Sequence, residues 1–151
     1  MNLKSERFDK LDRSVTGWMA RYGLTLLRWS IGLIFLWFGL LKYFEGLSPA
    51  QDLAIETISK VSFGLVPDNI IIYGLATLEV LIGLGLVLNI FMRVTLLLLF
   101  FQMAGTFLPV FIFPAEVFNV FPYSLTLEGQ YIIKNLVIIS SGIVLGATVR
   151  G

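Results

Sequence analysis

Four apolar runs separated by short polar stretches decide what this chain can fold into: residues 24–44, 70–90, 94–113 and 127–149. Each is about the 20 residues an α-helix needs to cross the ~30 Å hydrocarbon core of a bilayer. Lipid holds no water to satisfy free backbone N–H and C=O groups, so runs of this length are read as helices. Composition agrees with that reading. Of 151 residues, 57% are hydrophobic and 14% charged, and the mean hydropathy is +0.87. A soluble chain of this length has too little interior to hide so much apolar surface. The expected architecture is an all-α bundle of four transmembrane helices with short interfacial helices. It forms one domain over residues 24–151, behind an N-terminal segment of residues 1–23.

Absences narrow the chemistry. The chain has no cysteine and no histidine. That removes disulfides, thiol redox chemistry and iron–sulfur clusters, along with the usual ligands of haem, zinc and copper. A metal held by this chain would rest on carboxylates and carbonyls alone, a donor set for hard ions. We therefore expect no haem, no metal site and no covalently bound cofactor. A net charge of +1 gives no reason to expect a nucleic-acid partner.

Between the runs the sequence is organised. Residues 1–22 carry Lys4, Arg7, Lys10, Arg13 and Arg21 around an apolar stripe of Phe8, Leu11, Val15, Trp18, Met19 and Tyr22. That spacing predicts an amphipathic helix, either lying on the membrane surface or packed on the bundle. Ser48-Pro49-Ala50-Gln51 reads as a helix start, and Ala54, Ile58, Val61 and Leu65 as the apolar stripe of a short interfacial helix ended by Gly64 and Pro67. Residues 89–93 form a tight turn, 114–130 an aromatic-rich loop, and Thr126 an N-cap for the last span. Gly142 and Gly146 mark a face for close helix contact, and Gly83 and Gly85 are read in the same way. Arg28 is read as an anchor to inner headgroups. Lysine and arginine crowd the N-terminal segment, Arg93 and Arg150, whereas Lys60 on the other side is outnumbered by Glu45, Asp52, Glu56, Asp68, Glu116 and Glu128. The positive-inside rule then places both termini in the cytoplasm.

Polar residues inside the spans are the candidates for function. By helical rise Glu79 lies ~13 Å, and Gln102 ~16 Å, below the outer ends of their spans. Ser140 and Ser141 reach a similar depth. The expected site is a polar layer near the midplane, with Lys42, Lys134 and Asn135 above it, Glu45 and Glu128 at the rim, and Trp37 deep enough to line it. A carboxylate at that depth must face the bundle interior, paired or protonated, because exposure to lipid costs ~2.5–3.5 kcal/mol even on insertion scales. Lys42 and Lys134 are its candidate partners. The layer reads in two ways: as an outward-open pocket for a small polar molecule, a quinone headgroup or a proton, or as a network that sets helix register. No nucleotide loop, catalytic triad or metal motif is present, and no catalytic residue is assigned.

Three stretches resemble one family. Leu27-Arg28-Trp29-Ser30-Ile31-Gly32 through Phe38-Gly39-Leu40-Leu41-Lys42 is similar to the opening helix of DoxX-like membrane proteins. Leu78-Glu79-Val80-Leu81-Ile82-Gly83-Leu84-Gly85-Leu86, followed by Arg93, resembles that family's Glu-and-glycine helix and basic turn. Glu128-Gly129-Gln130-Tyr131-Ile132-Ile133-Lys134-Asn135-Leu136 looks like its Lys-Asn helix start. Within the family the chain is most similar to the YkgB/RclC-type branch. The resemblance implies a four-helix bundle in a bacterial inner membrane, with Lys42, Glu79, Arg93, Lys134 and Asn135 on the family's polar positions. It also implies a link to quinol oxidation, oxidoreductase complexes or oxidative-stress resistance.

The resulting expectation is an accessory or small-molecule-binding subunit, with a quinone or other small hydrophobic ligand around Glu79 and no catalysis by this chain alone. Its partners would be the lipid membrane and either other membrane subunits or further copies of itself. A small transporter or proton pathway through the bundle is the first alternative, and a purely structural assembly subunit the second.

Overall fold

A computed structural model describes residues 3–44, 46–48 and 51–150. In chain order the elements are α1 (Leu3–Leu41), α2 (Gln51–Val61), α3 (Asp68–Leu88), α4 (Met92–Ile112), α5 (Pro114–Val117), β1 (Phe118–Val120), β2 (Ser124–Leu125) and α6 (Leu127–Ala147). Four of these, α1, α3, α4 and α6, are long and apolar enough to cross a membrane. The chain is thus a multi-pass membrane protein, and its spans form the expected all-α bundle. The aromatic loop adds a small antiparallel hairpin of β1 and β2, with Phe118 opposite Leu125.

Glycines set how closely the first two spans approach. A Cβ on Gly83 would sit 2.7 Å from the Leu36 backbone N and 2.8 Å from the Gly32 carbonyl O, so main chain meets main chain there. A Cβ on Gly39 would meet Glu79 Cβ at 2.9 Å. These contacts fix an antiparallel register in which Gly32 faces Gly83–Val87 and Gly39 faces Glu79–Val80. Small residues make such contact affordable in lipid, where dispersion rather than the hydrophobic effect must hold helices together. Gly142 performs the same service between α6 and α4, against Leu99 and Phe100 at 3.2 Å. The Gly142 end of the last-span glycine face is therefore used inside the chain.

The register has a consequence for both ends of α1. On one side it stops beside the middle of α3, where Tyr43 hydrogen-bonds Thr77 (2.8 Å) and stacks on Tyr73. The half of the bundle beyond that end is filled instead by α2, whose Leu53 packs with Val117 and Ile132. On the other side α1 runs past the α3–α4 turn as an unbroken helix down to Leu3. Residues 1–23 were expected as a separate segment, but the described part of them is the opening of this 39-residue helix, ~58 Å long at 1.5 Å per residue. Its stripe from Phe8 to Tyr22 is exposed throughout.

Smaller expectations meet mixed outcomes. Thr126 caps α6, its hydroxyl accepting from the Gly129 N–H at 3.0 Å. The 89–91 turn uses two left-handed residues, Asn89 (φ 58°) and Phe91 (φ 46°), of which asparagine is the natural occupant. The stripe of α2 is shifted: Leu53 and Thr57 are buried, whereas Val61 and Leu65 are exposed. The predicted start of that helix at Pro49 and Ala50, and Glu45 at the rim, lie outside the described residues.

Candidate functional site

Glu79 sits at the middle of α3 with 8% of its surface exposed, facing the bundle interior. Both carboxylate oxygens are occupied. Lys42 Nζ donates to Oε2 at 2.7 Å, and Gln102 Nε2 donates to Oε1 at 2.9 Å. Three spans thereby meet at one carboxylate: α1 through the turn that follows it, α3, and α4. The Lys42–Glu79 contact is the one salt bridge among the described residues.

Local structure explains why a lysine from the end of a span reaches the centre of its neighbour. Gly39 packs directly on Glu79, so Lys42 stands only about one helical turn above it. The chain there tightens into i→i+3 hydrogen bonds from Lys42, Tyr43 and Phe44, and Tyr43 pins the turn to α3. Burying both charges is expensive unless the partners are close and the remaining lone pairs are satisfied. Lys42 and Gln102 together meet that condition.

This network forms one wall of a cavity of about 270 Å³. Its lining comes from all four spans and from α2: Phe35 and Lys42, Leu53 and Thr57, Glu79, Gln102 and Thr106, Tyr131 and Asn135 among them. Asn135 is half-buried and its amide makes no hydrogen bond within the described residues. Beneath the cavity lies an apolar cluster of Ile31, Phe35, Ile82, Leu86, Leu96, Leu99, Met103 and Leu145. Buried Thr95 and Ser141 lie at the same level of the bundle.

The DoxX family model matches residues 23–113. The chain belongs to the DoxX family. The matched stretch runs from Gly23 in α1 through the end of α4 and so contains Lys42, Glu79 and Gln102. Asn135 and the rest of α6, which also resemble the DoxX pattern, lie beyond it. No curated protein and no solved structure matches this DoxX chain.

Of the six residues singled out in this DoxX sequence, the structure brings four together: Glu79, Lys42, Gln102 and Asn135. Lys134 is exposed, one residue round the helix from Asn135, and the partner of Glu79 is Lys42 instead. Trp37 is a correction. It has the expected depth but the wrong azimuth, is 70% exposed, and points away from the face that carries Ile34, Phe38 and Lys42. Ser140 and Ser141 do not join the layer, since each hydroxyl donates to its own helix, at Leu136 O and Val137 O. Arg28 also has partners inside the bundle. Its Nη1 donates to Leu86 O and, at 3.1 Å, to Val87 O, which caps the C-terminal carbonyls of α3. Thr106, missed in the sequence, lines the cavity one turn above Gln102 and was findable by that i, i+4 spacing.

Proposed function

We propose that this DoxX-family protein binds a small molecule inside the bundle, at the Lys42–Glu79–Gln102 network, as an accessory subunit without catalysis of its own. One observation carries the reading: the network borders an open cavity that also presents an unbonded Asn135 amide. A network serving register alone would need no cavity beside it. A quinone headgroup suits such donors, which is the link to respiratory or oxidative-stress functions implied by the YkgB/RclC-type resemblance. A transport or proton route across the bundle is disfavoured by the apolar cluster beneath the cavity.

The bundle end that carries the long arm of α1 also carries the α3–α4 turn and the end of α6. Eight of the 11 basic residues fall there: Lys4, Arg7, Lys10, Arg13, Arg21, Arg28, Arg93 and Arg150. We assign that end to the cytoplasm of a bacterial inner membrane. The test is native mass spectrometry of protein extracted in lipid nanodiscs. A bound molecule retained by the wild type and lost in Glu79→Gln supports the reading. An empty wild-type protein, or equal retention by both, sinks it.

A further inference from the structure

We propose that the cavity is entered sideways from the bilayer, and that its occupant is an uncharged, lipid-soluble molecule bearing hydrogen-bond acceptor oxygens at one end. The inference rests on the binding reading above and deepens it by naming route and ligand class.

The route follows from which parts of the lining are exposed. Those residues are Ile34 and Phe38 on α1, Gly105 and Leu108 on α4, and Tyr131 on α6. All sit on membrane-spanning helices, and all but the tyrosine are apolar or glycine. At that depth an exposed face meets acyl chains rather than water. The aqueous side is closed: the α2 residues over the cavity are buried at Leu53 and Thr57 and half-buried at Ala54 and Ile58. The opposite side is closed by the apolar cluster.

Ligand class follows from the donors. Lys42 and Glu79 neutralise each other, so the site has no net charge with which to draw an ion to the midplane. A phospholipid would have to pull its phosphate from the interface, against the desolvation of a charge in hydrocarbon. Glu79 has both oxygens engaged, whereas Lys42 has spent one of its three N–H donors and Asn135 neither of its two. Carbonyl or ether oxygens on a neutral ring or chain end fit those donors, and a hydrocarbon tail can leave through the lipid-facing gap.

The absence of cysteine makes the test clean. Met103→Cys places a thiol inside the cavity, and Ile138→Cys does so at a second position should the first fold poorly. Phe63→Cys, 89% exposed between α2 and α3, serves as the aqueous control. In proteoliposomes, a bilayer-partitioned pyrenyl maleimide should label the cavity thiol roughly tenfold faster than a sulfonated, impermeant maleimide, the least expected of a reagent concentrated in hydrocarbon. The preference should reverse at Phe63→Cys. Labelling of the cavity by the sulfonated reagent as fast as at the control, or by neither reagent, overturns the lateral route. A decyl benzoquinone substituted at every ring carbon, which leaves no open position for the thiol to add to, should slow pyrenyl labelling, and Glu79→Gln should abolish that protection. Lateral labelling without protection overturns the ligand class, and protection alongside fast sulfonated labelling overturns the route while binding stands.

Discussion

At the scale of single residues, the Lys42–Glu79 pair makes a prediction separate from any ligand. Removing one member of a buried pair leaves an uncompensated charge and typically costs ~3–5 kcal/mol, more than removing both. Lys42→Met should therefore lower the thermal midpoint in detergent more than the double variant Lys42→Met/Glu79→Gln does. Additive losses across that double-mutant cycle would show that the two side chains act independently. Arg28 gives a second test. Arg28→Met strips two α3 carbonyls of a charged donor, worth about 1.5–3 kcal/mol for such a bond, and Arg28→Lys should recover part of it. An unchanged midpoint in Arg28→Met would remove the capping role. Residue depth was legible in the sequence, since rise per residue fixes it, and Glu79 and Gln102 do meet. Azimuth is not, so Trp37 reads as an inward residue and Lys134 and Lys42 read alike as partners of Glu79. A side chain's direction depends on which neighbour its helix has chosen, and one sequence does not state that choice.

Elements carry a different kind of information. The existence of the four spans and most of their borders is readable, because apolar run length and caps such as Thr126 are local signals, whereas α5, the β1–β2 hairpin and the continuity of α1 are not. What was hidden is the offset between neighbours: that α1 stops beside the middle of α3, and that α2 fills the space it leaves. Close packing of Gly32, Gly39 and Gly83 sets this offset, and the contact is visible only after folding. It also predicts opposite signs for one substitution type. Gly83→Ala drives a methyl into backbone on α1 and should destabilise by about 1–3 kcal/mol, as overpacking does. Gly17→Ala meets nothing within 4 Å and should stabilise α1 by up to ~1 kcal/mol through helix propensity. Thermal unfolding reads the first, and slower hydrogen exchange around residue 17 reads the second. Equal effects at the two positions would mean that the α1–α3 contact is looser than described.

For the whole molecule, the asymmetry of α1 decides topology. From the level of Gly39, near mid-bundle, half of a ~30 Å hydrocarbon core is spanned by about ten residues. The helix then has more than twenty residues left to continue beyond the bilayer on the side of Arg93 and Arg150. The sequence suggested a separate surface helix here because its apolar stripe and charges are amphipathic in isolation. An unbroken backbone from Leu3 to Leu41 ties that stripe to the direction of the span instead. Single cysteines at Ser14, Arg93 and Arg150 should thus react with an impermeant maleimide from one face of the membrane, and those at Phe63 and Tyr123 from the other. With the basic end assigned to the cytoplasm as proposed above, the first group should be reached only after the membrane of intact cells is opened. Reaction of Ser14→Cys from the same face as Phe63→Cys would break the four-span topology. Reaction of the whole first group in intact cells would keep the fold and invert it in the membrane.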